Sequence, residues 1–244
     1  MRPESKEDSA AMTQFLEGVD FEPVGEAGRS GVRMCMNKTL VFKECTTLKQ
    51  LIHVTNCYKD LQNRQLSATL VITAKMKGKF GYAVERLDTF TSMGRLQYTG
   101  VHQKKQWVVV ESYQMKHTIP NKAVLRALDV IRELLVDGWL HRDLHAGNLM
   151  FDPDTCQVRV IDLEGCIQIG KSTTPSVVKV AMNQHLIPFT ANLCALIEGE
   201  ARYALIDELV EASEIPTKVT KTQDRINSVV YALTHFKEAY AAGT

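Results

Sequence analysis

Three side chains carry the chemistry that this sequence can do. Asp143 and Asn148 stand five positions apart, and Asp162 follows nineteen positions after Asp143, directly behind the apolar run Val158-Arg159-Val160-Ile161. A carboxylate can orient an attacking hydroxyl and take its proton; a carboxylate with a carboxamide supplies hard oxygen ligands of the kind a divalent cation takes. Asp143 suits the first task, and Asn148 and Asp162 suit the second. A zinc or iron site made by His141, Asp143 and His145 is a competing use of the same segment. Two histidines at i and i+4 share a face only on a helix, and the following Ala146-Gly147-Asn148 reads as a loop, which argues against that site.

The elements that must position these residues fall into two unlike halves. Residues 1–18 are polar and expected to be flexible, with a short helix at 10–16 as an option. From Phe21 to Thr46, β-branched and apolar residues alternate with polar ones and glycines, which predicts three antiparallel strands near 21–25, 31–37 and 39–45. Thr46-Thr47 offers an N-cap, and Leu48, Leu51, Ile52, Cys57, Tyr58 and Leu61 recur at helical spacing, which predicts a helix over 47–65. Two strands over 68–76 and 80–87 meet at Lys77-Gly78-Lys79, and a further strand over 106–113 is apolar at Trp107-Val108-Val109-Val110. Asn121 is expected to cap a helix that Gly138 ends. Leu149-Met150-Phe151 and the run ending at Ile161 flank the turn Asp152-Pro153-Asp154-Thr155 as a hairpin. Beyond Ser176 the pattern is helical, with breaks expected at Pro188, near Gly199 and at Pro216. A strand-rich half with one helix followed by a mainly helical half is an α+β arrangement.

Bulk composition narrows the function classes. The 244 residues carry 29 basic and 28 acidic side chains, so no global field gathers nucleic acid or an anionic membrane. With 45% hydrophobic and 23% charged residues the chain is expected to fold around a sizeable core. Six cysteines without CxxC spacing predict reduced, mostly buried thiols in a cytoplasmic setting. No stretch reaches about 18 uninterrupted apolar residues, and the first twenty lack an apolar signal core, so neither a membrane span nor an ordinary secretory signal is expected. The polar start is compatible with delivery by an injection machinery.

The segment Trp139-Leu140-His141-Arg142-Asp143-Leu144-His145-Ala146-Gly147-Asn148 resembles the catalytic loop of protein kinases, H-R-D-x-x-x-x-N. The resemblance implies a two-lobed kinase-like fold with its small lobe over 19–87 and a reduced helical lobe over 88–244. It implies ATP with Mg²⁺ or Mn²⁺ as cofactors. Asp143 would be the catalytic carboxylate, assisted by Arg142 and His145, with Asn148 and Asp162 on the metal. Leu40-Val41-Phe42-Lys43 is similar to the V-A-I-K strand, which makes Lys43 the phosphate-binding lysine. The glutamate that usually pairs with it has no counterpart between Cys45 and Leu66, so Asp60 is the substitute, with Gln62 second. Gly25, Gly28, Gly31 and Val32 resemble a degenerate glycine-rich loop over the nucleotide. Two segments resemble the adenine-binding hinge: Glu85 to Leu87, which is preferred, and Val108 to Tyr113.

The acceptor is read from finer detail. Arg142 completes the H-R-D of protein kinases, whereas Asp143-Leu144-His145-Ala146-Gly147-Asn148 is closer to the D-L-H-x-G-N of aminoglycoside phosphotransferases. Val160-Ile161-Asp162-Leu163-Glu164-Gly165 keeps the glycine of D-F-G and adds the acid of the small-molecule I-D-x-E pattern. No A-P-E follows Gly165, and the remaining 79 residues resemble the trimmed large lobe of bacterial effector kinases. The expectation is a minimal, monomeric protein serine/threonine kinase of that type, in the cytoplasm or delivered into a host's, acting on a protein and not on nucleic acid or membrane. A small-molecule phosphotransferase is the alternative, and a nucleotide-binding pseudokinase the second.

Overall fold

The structure is a computed structural model that describes residues 22–23, 34–36, 40–76, 79–103, 106–115, 118–170, 173–199, 201–214 and 222–243. The chain divides into two compact units, Met1–Asp88 and Thr89–Thr244.

In the first unit, β1 (Glu22–Pro23), β2 (Met34–Met36), β3 (Leu40–Cys45), β4 (Leu70–Met76) and β5 (Lys79–Glu85) form one antiparallel sheet in the order β1-β2-β3-β5-β4. One helix, α1 (Leu48–Gln62), follows β3. Its start is locked reciprocally: Thr47 Oγ1 accepts the Gln50 N–H at 3.1 Å, and Gln50 Oε1 accepts from Thr46 N–H and Oγ1–H at 2.9 and 2.8 Å. The stripe Leu51, Val54, Cys57, Tyr58 and Leu61 is buried against the sheet, with the Tyr58 ring 5.5 Å from that of Tyr82. The helix ends three residues before the expected Gln65, because Gln65 itself turns left-handed (φ 57°) and the Leu66 N–H closes back on the Leu61 carbonyl.

The second unit contains β6 (Thr91–Ser92), β7 (Gly94–Gln103), β8 (Gln106–Met115), α2 (Asn121–Val136), β9 (Trp139–His141), β10 (Leu149–Phe151), β11 (Val158–Val160) and β12 (Cys166–Gln168). The helices α3 (Pro175–Ala181), α4 (Ile187–Cys194), α5 (Ala201–Glu214) and α6 (Thr222–Gly243) complete it. Its strands make three small antiparallel sheets, β11-β10-β6, β12-β9 and β7-β8. The spine is α2, whose buried residues Ala123, Val124, Ala127, Leu128, Ile131, Leu134 and Leu135 recur at three and four. It packs on β9, β11, α4 and α6, and it stops at Gly138, whose φ of 77° favours glycine.

Three expectations need correction. Asn121 does not cap α2: it is the helix's first residue, and the cap position belongs to Pro120, which has no side-chain acceptor to offer. The strand β7 was not foreseen, since Gly94, Gly100 and its polar residues blur the alternation that identifies strands. Pro188 does not break the chain's helical course. A π-helical turn, Met182–Leu186, joins α3 to α4 without a gap, and this wider turn accommodates the N–H that proline lacks. At Gly199 the course is broken as expected (φ 110°), and Pro216 lies outside the described residues.

Among the described residues no helix is long and apolar enough to cross a membrane. Cys45, Cys57, Cys166 and Cys194 are buried free thiols and Cys156 is half-buried. Burial pushes the Cys194 thiol up to about 12, so it is inert at neutral pH.

Candidate active site

The loop between β9 and β10 is built by short-range hydrogen bonds that its own sequence supplies. The His145 Nδ1 accepts the Gly147 N–H at 3.0 Å, and the Asn148 N–H donates to the His145 carbonyl at 2.9 Å, winding Ala146–Asn148 into one 3₁₀ turn. The Asn148 Nδ2 donates to the Asp143 carbonyl at 2.9 Å, so this side chain spans the loop and keeps its Oδ1 for a ligand. Leu144, Ala146 and Leu149 are buried and anchor the loop, while the Asp143 side chain remains 59% exposed.

Two strand pairings bring the Asp162 segment to this loop. β9 pairs with β12 so that His141 faces Cys166, and β10 pairs with β11 so that Leu149 faces Val160. The Ile161 N–H donates to the Asn148 carbonyl at 2.9 Å. At the junction sits His141, only 1% exposed. Its Nδ1 accepts the Asp143 N–H at 3.2 Å and its Nε2–H donates to the Ile161 carbonyl at 3.1 Å, which defines a neutral Nε2–H tautomer. Burial lowers its pKa from the ordinary value, outweighing the Ile161 hydrogen bond and the charges of Asp162 and Asp143. With both nitrogens engaged, His141 has no lone pair for zinc or iron.

Asp162 takes the left-handed conformation, φ 62° and ψ 48°. A non-glycine residue held there stores backbone strain of about 1–3 kcal/mol, and such strain gathers at working sites. After it, the 3₁₀ turn Leu163–Gly165 returns the chain, and Arg142 Nε donates to the Gly165 carbonyl at 2.9 Å. Gly165 itself needs no glycine: a Cβ there meets only Asp143 Cβ and His141 Cε1, at 3.9 Å.

Asp143 faces an imidazole on each oxygen. His145 Nε2 lies 3.8 Å from Oδ2, and His185 Nδ1 lies 3.7 Å from Oδ1. Burial lowers the pKa of His145, with His185 adding to the lowering and Asp143 and Asp162 opposing it. A cleft of about 450 Å³ opens beside Asp143, lined by Arg142, Gly165, Ser176, Val177, Val180 and Ala181.

The strand β6 and the first residue of β7 support the loop. The Ser92 Oγ–H donates to the Ala146 carbonyl at 3.1 Å, and the Gly94 N–H donates to Ser92 Oγ at 3.2 Å. A Cβ on Gly94 would stand 2.5 Å from Ala146 Cβ and 2.9 Å from its carbonyl carbon. Gly94→Ala is therefore expected to displace the Ala146–Asn148 turn and cost about 1–3 kcal/mol, measurable by thermal unfolding, with a loss of turnover larger than the loss of fold.

Of the residues expected to act, Arg142, Asp143, His145, Asn148 and Asp162 meet in the second unit. Lys43 lies mid-strand in β3, opposite Tyr82, in the first. Asp60 is on the exposed side of α1, and Gln62 Oε1 accepts the Leu70 N–H at 2.8 Å, so it is committed to β4. Glu85 ends β5 and accepts the Thr69 N–H at 3.0 Å through Oε1; Leu87 follows in the connection toward Thr89. The second hinge candidate, Val108 to Tyr113, runs inside β8 of the β7-β8 hairpin. Gly25, Gly28, Gly31 and Val32 lie outside the described residues. Gly94 and His185 were missed: a glycine opening a polar strand and a histidine in a helical run carry no motif signal, and topology alone brings them to the loop.

A carboxylate with open oxygens, a cleft beside it, and an amide and a strained carboxylate offering hard oxygens are the groups that phosphoryl transfer calls for. Residues 87–167, which include Arg142, Asp143, His145, Asn148 and Asp162, match the model of the phosphotransferase enzyme family. No curated protein matches the chain. Phosphotransferases of that family use ATP and a divalent metal, and Asn148 Oδ1 with the Asp162 carboxylate is the donor chemistry that Mg²⁺ prefers.

Proposed function

We propose that this chain transfers the γ-phosphoryl group of ATP, with Mg²⁺ or Mn²⁺, to a serine or threonine hydroxyl of a protein, as a compact kinase of bacterial effector type. The observation that carries the reading is Asp143: an exposed carboxylate beside an open cleft, its main chain pinned at both N–H and C=O. It orients the acceptor hydroxyl and takes its proton, while Asn148 and Asp162 hold the metal. The neutral ring of His145 occupies the place of the lysine that contacts the γ-phosphate in serine/threonine kinases. Arg142 ties the Asp143 loop to Gly165. Lys43 receives the α- and β-phosphates with Asp60 as its acid, and Gly25, Gly28, Gly31 and Val32 cover them; Glu85 to Leu87 takes the adenine. These last roles rest on the resemblance.

The wall of the cleft favours a protein over an aminoglycoside. Val177, Val180 and Ala181 face the acceptor space, and residues 173–197, which carry that wall, contain no Asp or Glu. A polycationic acceptor needs several carboxylates to offset its desolvation, and this wall has none to give. The small-molecule reading keeps one specific support, the match over 87–167 together with the Glu164 of the I-D-x-E pattern. A pseudokinase has no need of Asp143, Asn148, Asp162 and Lys43 together. The proposed setting is a cytoplasm, the chain's own or a host's, with the protein working as a monomer.

The test is incubation with labelled ATP and a eukaryotic lysate, in parallel with an aminoglycoside and sugar panel. Label in a discrete protein band is the expected result. Label only in small molecules overturns the protein acceptor, and no label anywhere, with no Mg²⁺-dependent stabilisation by ATP, overturns phosphotransfer.

A further inference from the structure

One group beside Asp143, the imidazole of His185, has no task in phosphotransfer as proposed. Between α3 and α4 the turn Met182–Leu186 is π-helical, which places one extra residue in an otherwise α-helical course. An extra residue rotates everything after it by about 100° relative to an unbroken helix. Both flanks nevertheless stay buried, Val178 and Ala181 before and Ile187, Phe189 and Leu193 after. The turn that reconciles them carries His185 to Asp143, Nδ1 to Oδ1 at 3.7 Å. Single π turns recur at functional sites, where they re-aim one side chain without disturbing the packing on either side.

We propose that His185 is a positioning residue for Asp143, holding its carboxylate in the orientation that meets the acceptor hydroxyl. The inference rests on the phosphotransferase reading. The Asp143 main chain is fixed by His141 and Asn148, but these bonds leave its side-chain torsions open. Among the described residues, the carboxylate faces two imidazoles, His145 on one oxygen and His185 on the other, at 3.8 and 3.7 Å. Neither distance is a direct hydrogen bond, so both oxygens stay open to an incoming hydroxyl while the ring dipoles or charges bracket the group. His145 is already tied through Nδ1 to Gly147. Removal of His185 thus frees one whole side of the carboxylate.

The experiment measures hydrolysis of Mg·ATP by the full chain, a reaction that needs no identified acceptor, in wild type, His185→Ala and His185→Asn, each with Asp143 and with Asp143→Asn. A misplacement of about 1 Å at the reacting group costs up to about 10²-fold, so His185→Ala is expected to lower kcat by about 10–100-fold, with the KM for Mg·ATP unchanged. His185→Asn, whose amide nitrogen stands where Nδ1 stood, is expected to recover most of the rate. In the Asp143→Asn background, His185→Ala is expected to add nothing. The proposal is overturned by a wild-type kcat in His185→Ala, by equal loss in the Ala and Asn variants, or by an additive loss in the double variant. Absence of Mg²⁺-dependent ATP hydrolysis in the wild type sinks the phosphotransferase reading instead, which separates the two failures.

Discussion

Asp143→Ala is expected to abolish phosphoryl transfer while leaving Mg²⁺-dependent stabilisation by ATP intact, and Asp162→Ala is expected to lose both. The two carboxylates sit on segments joined by His141 and by the β9-β12 and β10-β11 pairings, yet their chemistry differs. Asp143 is exposed at the cleft, and in the proposed function it is the proton acceptor and not a metal ligand, so on that reading its removal takes away the base and spares the nucleotide. A positioned general base contributes on the order of 10²–10⁴ in rate. Asp162 sits at the strained turn, and in the proposed function it would hold the divalent cation together with Asn148, so on that reading its loss removes the carboxylate that keeps the cation against the phosphates. Thermal unfolding with ATP in the presence and absence of Mg²⁺ reads binding, since ATP at a hundred times its Kd adds about 2.7 kcal/mol to a protein that binds it. Turnover on the same samples reads transfer. Identical behaviour of the two variants in both measurements would sink the division of labour.

The parts of the fold that were legible in the sequence are those where one face does one job. In α2 the apolar residues recur at three and four because that face alone is buried, and in the hairpin of β10 and β11 the Asp152 turn announces itself: Asp152 Oδ1 accepts the N–H groups of both Asp154 and Thr155 at 2.9 Å. The loop from His141 to Asn148 was legible because its residue types are dictated by chemistry rather than burial. What stayed hidden has no periodic signature. The three-residue strands β9 and β12 are too short to alternate, yet their pairing sets His141 opposite Cys166 and so fixes the distance between the Asp143 and Asp162 segments. Pro188 reads as a breaker by local rule, and tertiary packing on both flanks overrides it through a π turn. The contact of Gly94 with Ala146 joins segments some fifty residues apart, and no local pattern encodes it.

His141→Gln is expected to cost stability and to flatten its dependence on pH. The imidazole is the bridge from the Asp143 N–H to the Ile161 carbonyl, in a site that excludes water. Leaving buried polar groups unpaired costs about 1–3 kcal/mol each, and Gln cannot span both partners with the ring's geometry. The pH effect follows from the lowered pKa. The folded protein resists protonating this ring, because burial disfavours the charged imidazolium; the unfolded chain protonates it at the ordinary 6.5. The contribution is therefore fully present above pH 6.5 and is lost as pH falls from there toward the folded value, where the unfolded state binds the proton that the folded state refuses. The expected slope from this one group is up to about 1.4 kcal/mol per pH unit. His145, also lowered, contributes in the same direction, so the measurement is the difference between wild type and His141→Gln in denaturant titrations across pH 5 to 8. Parallel curves would show that His141 does not titrate against the fold. A wild-type curve that falls away more steeply below pH 6.5 would show that the ring joining the two acidic segments works only when neutral, and that acid loosens the site at its hinge point.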